Sequence, residues 1–309
     1  MEVTQVHVDY FRTEEDHSTM DNRTTGTSGS VISLHAGTCG YPNSESCQKC
    51  PDDKWPNMEK DACIPRIIEF LSYKDTTASL LSAISVLFII LTASIIRLFI
   101  YFLDTPIVKA NNRNLSFILL ISLKLSLLCV NLFIGRPVDI TCMLRQISFG
   151  INFTVAVSSV LAKTVMVYIA FKATRPGSSW RKWLGVQLPN SVVFICSSVQ
   201  VLTSAIWLLF FPPFAEYDIN TYPGVIIIQC NEGSILAFYV MLGYMGLLAA
   251  LCFVLAFMVR TLPDIFNEAK YISFSMVVFC SVWICAMPAY LSSKGKHMVI
   301  VEIFAILAS

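Results

Sequence analysis

The stretch that decides the fold is residues 77–101, TASLLSAISVLFIILTASIIRLFIY, in which Arg97 is the one charged residue. As an α-helix these 25 residues would rise about 37 Å, at roughly 1.5 Å per residue. The hydrocarbon core of a bilayer is about 30 Å thick, so the stretch is long enough to cross it. The sequence therefore predicts a transmembrane helix at this position.

Similar apolar blocks, separated by short polar stretches, follow along the rest of the chain. They run at about 114–134, 144–171, 189–211, 235–259 and 271–291. A seventh block begins near Met298 and reaches Ser309, and its 12 residues would rise only about 18 Å as a helix. We therefore expect an all-α membrane protein, a seven-transmembrane helix bundle over 77–309 whose seventh helix, at 298–309, is incomplete.

The overall composition agrees with a membrane protein. Hydrophobic residues make up 55% of the chain and charged residues only 14%, whereas about a quarter of the residues of a soluble domain are charged. Lysine and arginine (22) nearly equal aspartate and glutamate (21), and the net charge is +1. A chain without a basic excess is poorly suited to neutralise a phosphate backbone, so we expect the lipid bilayer as a partner and no nucleic acid.

The region before the first apolar block divides into two parts. Residues 1–42 are largely polar, lack the apolar run of a secretory signal, and are predicted to be disordered. Residues 43–76 hold most of a group of four cysteines at positions 39, 47, 50 and 63. Disulfides, a zinc site and free thiols are all open interpretations. Only one pair of cysteines is close in sequence and no histidine lies between 47 and 63, so we favour disulfides over zinc and predict no metal or cofactor.

The basic residues of the short loops predict the orientation in the membrane. If the amino terminus lies outside, the outer loops hold three basic residues, Arg136, Lys294 and Lys296, and the inner loops hold eight. The inner residues are Lys109, Arg113, Lys172, Arg175, Arg181, Lys182, Arg260 and Lys270. Because positive charge collects on the cytoplasmic side, we expect a multi-pass protein of the plasma membrane with an extracellular amino terminus. This orientation also places the cysteines where disulfides persist.

A membrane bundle of this size is a receptor, a transporter or a channel. The two halves show no repeated pattern of Gly/Pro breaks of the kind found in transporters, and neither a filter loop nor a ring of charge indicates a channel. All four histidines lie outside the apolar blocks, and no catalytic constellation is visible. We therefore expect a receptor and not an enzyme, with a transporter as a weaker alternative.

Several loop and helix segments resemble the class C G-protein-coupled receptors. The segments are DTPIVKANNR (104–113), PDIFNEAKY (263–271), AKTV (162–165), FKATRPG (171–177) and EIFAILAS (302–309). Within the class, CQKCPDDKWP (47–56) followed by CIPR (63–66) looks most like the vomeronasal type-2 receptors. The resemblance covers about 43–309 and stops abruptly upstream.

The resemblance implies a function. Class C receptors carry a two-lobed extracellular ligand-binding domain, joined to the membrane helices by a cysteine-rich linker, and residues 43–76 would be the end of that linker. The chain would transmit an extracellular chemosensory signal, a pheromone-like peptide or an amino acid, to a heterotrimeric G protein, as part of a receptor homodimer or heterodimer. The alternative is a truncated receptor fragment that does not signal.

The resemblance also implies two disulfides and an inner-face contact. Class C linkers bond Cys50 to Cys63, which leaves the partner of Cys47 open, and seven-helix receptors generally bond the positions of Cys142 and Cys230. Two unpaired small apolar residues are the alternative at the latter pair.

On the inner face, Lys163 and Glu268 would form a latch between the third and sixth helices, unless Lys163 simply snorkels to the interface. The loop residues expected to face the G protein are Lys109, Arg113, Lys172, Arg175 and Asn267.

Three further residues are expected to lie in the cavity of the bundle. Trp283 and Glu302 match residues that line this cavity in relatives, although Trp283 could also be an aromatic packed in the helix core. Lys124 lies ten residues after Asn114, near the bilayer centre, where a lysine costs roughly 2.5–3.5 kcal/mol. Depth along the helices favours Glu302 as its partner. The alternative is that Lys124 is neutral or snorkels into a watery cavity.

Overall fold

The computed structural model describes residues 37–39, 47–58, 62–106, 108, 112–173, 187–260 and 267–308, without the side chains of 37–39, 47–49, 260 and 267–270. The described residues form seven α-helices, so the predicted fold class, a helical membrane bundle, is confirmed. They are α1 Thr76–Tyr101, α2 Arg113–Phe133, α3 Asp139–Ala173, α4 Gln187–Phe210, α5 Ile235–Arg260, α6 Asn267–Ser292 and α7 Lys296–Ala308. Six of them, α1 to α6, are long and apolar enough to cross a membrane, and α7 has 13 residues.

Helix α3 is longer than the apolar block from which it was predicted, because it begins at Asp139 and not at 144. Its first turn is stabilised locally. The Thr141 hydroxyl accepts a hydrogen bond from the backbone N–H of Val138 (3.0 Å), and the negative charge of Asp139 is favourable at the positive end of the helix dipole. The polar residues of this turn interrupt the apolar pattern without interrupting the helix.

The chain also contains seven short strands within its described part. They are β1 Gly37–Cys39, β2 Cys47–Lys49, β3 Lys54–Pro56, β4 Cys63–Pro65, β5 Ile67–Glu69, β6 Phe214–Asp218 and β7 Val225–Asn231. In one compact unit, Met1–Cys50 with Pro56–Cys63, strands β1 and β2 pair antiparallel and Cys39 stands opposite Cys47. The other unit, Pro51–Trp55 with Ile64–Ser309, holds all seven helices.

A three-stranded sheet in the helical unit joins the linker to the loop between α4 and α5, residues 211–234, which is the second outer loop in the predicted topology. Its strand order is β5-β7-β6. Strand β5 runs parallel to β7, with Ile67 opposite Val225, and β6 runs antiparallel to β7, with Phe214 opposite Asn231. The turn after β7 requires glycine at 233, where φ is +68° and an added Cβ would lie 2.7 Å from the carbonyl oxygens of Phe211 and Pro212.

Helix α3 is the centre of the bundle. In its most apolar 18-residue window 56% of the residues are buried, against 6% in α1, and α3 contacts α2, α4, α5 and α6. The outer surfaces of the other helices expose large apolar side chains, among them Leu87, Leu202 and Ile284. Such surfaces are unfavourable in water and suited to lipid.

Candidate ligand cavity beneath the outer loop

An aromatic cluster from two helices lies beside a cavity in the bundle, and two of its members, Phe149 and Trp283, line that cavity. Phe149 and Phe153 are four residues apart on α3, and Phe279 and Trp283 are four apart on α6, so each pair lies on one face of its helix. The ring of Trp283 lies with its centroid 6.1 Å from that of Phe149, 5.4 Å from Phe153 and 6.1 Å from Phe279. Each such pair contributes about 0.5–1.5 kcal/mol beyond area burial.

The space beside this cluster, called here the bundle cavity, is lined by α2, α3, α5, α6 and α7. Its lining residues are Phe133, Gln146, Phe149, Phe238, Met241, Leu242, Trp283, Ala286, Met287, Tyr290, Val301, Glu302, Ala305 and Ile306. The cavity volume is about 50 Å³, room for a few water molecules at roughly 10–15 Å³ each. Pockets for drug-sized ligands are about 300–1,000 Å³, so this cavity is smaller than such a pocket.

A buried charge pair lies beside the cavity. A guanidinium nitrogen of Arg145, a residue only 3% exposed, lies 3.6 Å from Oε2 of Glu302. The same guanidinium lies 5.1 Å from the ring centroid of Phe133, a cation–π contact. From the outer loop, Glu232 accepts a hydrogen bond from the Tyr290 hydroxyl at 2.9 Å.

The Arg145–Glu302 pair and Trp283 contain polar atoms with unused hydrogen-bonding capacity. Among the buried atoms of the described residues that have no hydrogen-bond partner, three belong to residues at the cavity: Arg145 Nε, Glu302 Oε2 and Trp283 Nε1. The 3.6 Å contact of Arg145 with Glu302 is long for a hydrogen bond. Buried polar groups normally have partners, so these atoms are available to a polar ligand or to water.

The outer loop is held over the helices by covalent and hydrogen bonds. Cys142, near the start of α3, is disulfide-bonded to Cys230 of β7, with the Cα atoms 5.5 Å apart. The Asp139 carboxylate accepts a hydrogen bond from the backbone N–H of Ala215 (2.8 Å). The indole N–H of Trp207 donates to the backbone carbonyl of Glu232 (3.0 Å).

Strand β5 connects the linker to the same loop and to α7. A guanidinium nitrogen of Arg66 donates to the carbonyl of Ile219 at 2.8 Å. At the other end of β5, Glu69 forms an ion pair with Lys296, the first residue of α7 (2.5 Å). The hydrogen bond to Glu69 raises the pKa of the Lys296 ammonium group.

A polar pocket of about 230 Å³ lies at the outer loop and contains Glu216, Asp218, Glu232 and Lys294. Burial would raise the pKa of the Asp218 carboxyl, but hydrogen bonds from Thr221 and Asn220 outweigh burial and lower the pKa. The Glu216 carboxylate accepts a hydrogen bond from the Asn231 side-chain amide at 3.0 Å. Within the described residues, no three histidine, cysteine, aspartate or glutamate side chains are placed to hold a metal ion.

Comparison with known proteins identifies the family. The family model described as "7 transmembrane sweet-taste receptor of 3 GCPR" matches residues 71–309, which include every helix of the bundle. The chain belongs to the class C G-protein-coupled receptors. Its resemblance to vomeronasal type-2 receptors is confirmed by 52% identity over 265 residues to mouse (Mus musculus) vomeronasal type-2 receptor 26, covering 86% of this chain.

Other class C relatives match the same part of the chain. The human (Homo sapiens) extracellular calcium-sensing receptor is 45% identical over 281 residues, or 85% of this chain. Mouse vomeronasal type-2 receptor 116 is 46% identical over 267 residues, or 86%. The chain spans 31% of the length of each vomeronasal relative and 26% of the calcium-sensing receptor, so it is similar to less than a third of each.

In this class C receptor chain the structure pairs Glu302 differently from the sequence-based prediction. The partner of Glu302 is Arg145, and the predicted pairing with Lys124 is wrong. Lys124 is partly exposed on α2 and does not line the bundle cavity, whereas Trp283 and Glu302 do. Depth along a helix gives the height of a side chain but not the side of the helix on which it lies.

Arg145 is the residue that reading the sequence missed. It stands one residue inside the predicted block 144–171, close to the start of that block, and no role was predicted for it. A signal was present, because Arg145 follows Cys142 by three residues and precedes Phe149 by four. This spacing puts it on the helix face of the disulfide and the aromatic cluster.

The other predicted site residues fall into two groups. The expected disulfide partners are bonded, Cys142 with Cys230 and Cys50 with Cys63, whose Cα atoms are 5.9 Å apart, so zinc ligation and free thiols are excluded for Cys50 and Cys63. The Lys163–Glu268 latch lies partly outside the described residues: Lys163 is partly buried on α3, and the Glu268 side chain is not described.

The loop residues expected to face a G protein are only partly described. Arg113 is exposed at the start of α2, and Lys172 lies in the last turn of α3 with its Nζ 5.7 Å from the ring centroid of Tyr168. Lys109 and Arg175 lie outside the described residues, as does the side chain of Asn267.

Proposed function

We propose that this chain is the membrane domain of a chemosensory class C receptor, which passes an extracellular signal to a heterotrimeric G protein at the plasma membrane. The observation that carries the proposal is the hydrogen bonding of β5, the strand that precedes α1, into the sheet of the second outer loop. A displacement of the linker therefore moves that loop together with the start of α1.

Two connections lead from the loop into the bundle. The first is covalent, through the Cys142–Cys230 disulfide to α3, the central helix. The second is polar, through the hydrogen bond from the Tyr290 hydroxyl to Glu232, which ties the loop to α6. The aromatic cluster beside the cavity joins α3 to α6. A shift of the loop would therefore change the packing of these two helices against each other.

The proposed contact with a G protein rests on the charges of the basic loops and on membership of the family. An extracellular amino terminus, inferred from the loop charges, puts Lys109, Arg113, Lys172, Arg175 and Asn267 on the side of the G protein. The Lys163–Glu268 latch would hold α6 against α3 until the signal arrives. The pheromone-like peptide or amino-acid ligand, and a receptor dimer, are proposed from the likeness to vomeronasal type-2 receptors.

A chimera tests this function with a known stimulus. Residues 64–309 of this chain would replace the matching segment of the human extracellular calcium-sensing receptor, and G-protein activation would be recorded as extracellular calcium is raised. We expect calcium-dependent activation. A chimera that reaches the cell surface and stays silent at calcium concentrations that activate the parent receptor would overturn the signalling proposal and favour a non-signalling fragment.

A further inference from the structure

A second, larger cavity lies between α5 and α6. Its volume is about 410 Å³ and its lining is almost entirely apolar. The lining of this α5–α6 groove includes Leu242, Gly246 and Ala249 of α5, and Phe279, Trp283 and Met287 of α6. No lining residue carries a formal charge, so the groove is unsuited to a charged or strongly polar partner.

The groove opens toward the bilayer. Gly246 is exposed and has nothing within 4 Å of the position of an added Cβ, and the neighbouring Ile284 and Leu247 side chains are 72% and 56% exposed. Gly246 lies 11 residues into the 26-residue helix α5, about 16 Å along a helix that is about 39 Å long. At that depth the surroundings of the protein are hydrocarbon, and the groove is continuous with the lipid-facing surface.

The groove and the bundle cavity share a wall. Leu242, Trp283 and Met287 line both spaces. The ring of Trp283 is packed against Phe149, Phe153 and Phe279. A molecule lying in the groove therefore touches the side chains that bound the cavity on the other side.

We propose that an acyl chain of a bilayer phospholipid binds in the α5–α6 groove and packs against Trp283. A helix from a second protein does not fit inside the groove, because a cylinder about 10 Å wide and 10 Å long already occupies about 800 Å³. An acyl chain is narrow, apolar and present at this depth at high concentration. The lipid is then a ligand of the wall that the groove shares with the bundle cavity.

Fluorescence quenching by brominated lipid tests the contact. The purified chain would be placed in phosphatidylcholine vesicles whose acyl chains carry bromine near their midpoint, and in unbrominated vesicles. The chain has five tryptophans, so the contribution of Trp283 is the difference in quenching between the wild type and Trp283→Phe. We expect a clear Trp283-dependent component.

Two glycines of α5 provide a matched pair of variants that keep Trp283. Neither Gly243 nor Gly246 has an atom within 4 Å of an added Cβ, but only Gly246 lines the groove. Gly246→Leu fills the groove and should abolish the Trp283-dependent quenching, while Gly243→Leu should leave it at the wild-type level. Equal quenching in the two variants overturns the proposal, and so does quenching only by vesicles that carry a brominated sterol.

Discussion

At the scale of single residues, Arg145 and Glu302 place opposite charges in the interior of a membrane bundle. Both are largely buried, with side-chain exposures of 3% and 13%. Two charges removed from water are tolerated when they neutralise each other, and removing one partner leaves the other uncompensated. The pair therefore fixes α3 and α7 relative to each other at the level of the cavity.

Replacing Arg145 by methionine should be strongly destabilising. The Glu302 carboxylate would stay buried without its cation, a situation that costs about 3–5 kcal/mol. The double variant Arg145→Met with Glu302→Gln should recover most of the loss. The measurement is the melting temperature of the purified chain, with Lys124→Met as the control. A loss from Lys124→Met as large as that from Arg145→Met would contradict the pairing.

Gln200 is a buried amide whose removal should stabilise the folded protein, in contrast to the removal of Arg145. Gln200 is fully buried on α4, and neither of its amide atoms has a hydrogen-bond partner in the described part of the chain. An unsatisfied buried polar group costs about 1–3 kcal/mol. Gln200→Met, of similar volume, should raise the melting temperature by about 2–4 °C for each kcal/mol recovered.

The exposed Gln187, at the start of the same helix, supplies the control for this change, and Gln187→Met should have little effect. A melting temperature that falls in Gln200→Met would contradict a destabilising, unsatisfied amide at this position.

At the scale of elements, the second outer loop depends on one covalent link. The Cys142–Cys230 disulfide joins positions 88 residues apart, and a link across a loop of about 100 residues stabilises by up to about 4.7 kcal/mol. Replacing both cysteines by serine should therefore lower the melting temperature and the surface expression. Cys129→Ser is the control, because it puts serine in place of a buried free cysteine of α2 without breaking a disulfide. Equal losses in the two variants would contradict this role.

The proposed latch between α3 and α6 is an element-scale switch. In the calcium-sensing chimera, removing the charge of Lys163 or of Glu268 should raise basal G-protein activity, since α6 would no longer be held to α3. Exchanging the two residues should partly restore the low basal level, which two independent effects would not do. Basal activity that stays flat in both single variants at normal surface expression would leave Lys163 as a snorkelling residue.

Some elements could be predicted from the sequence and others could not. The membrane helices follow from apolar blocks, because crossing hydrocarbon leaves few other solutions for the backbone. The first turn of α3 could not be predicted in this way, since Asp139 and Thr141 are polar yet helical. Strand β5 escaped prediction for a different reason. It has three residues and pairs with β7, which lies far along the chain, so neither composition nor periodicity marks it.

At the scale of the whole molecule, the predicted orientation in the membrane can be tested by chemical labelling. A charged, membrane-impermeant thiol reagent on intact cells should label Tyr217→Cys, in β6 of the outer loop, where the native side chain is 56% exposed. It should not label Arg113→Cys, which is exposed at the inner start of α2. The free cysteines of the described helices lie within the spans, away from such a reagent. The reverse labelling pattern would invert the topology inferred from the basic loops.

The parallel pairing of β5 with β7 has a mechanical consequence. A pull that arrives through the linker acts on the amino-terminal end of β5, while β7 is anchored near its carboxyl-terminal end by Cys230. Forces applied at opposite ends of two parallel strands load the pair in shear, so the hydrogen bonds between the strands share the tension instead of breaking one after another. The pairing of β5 with β7 can therefore transmit a pull from the linker to the loop without its hydrogen bonds opening one at a time.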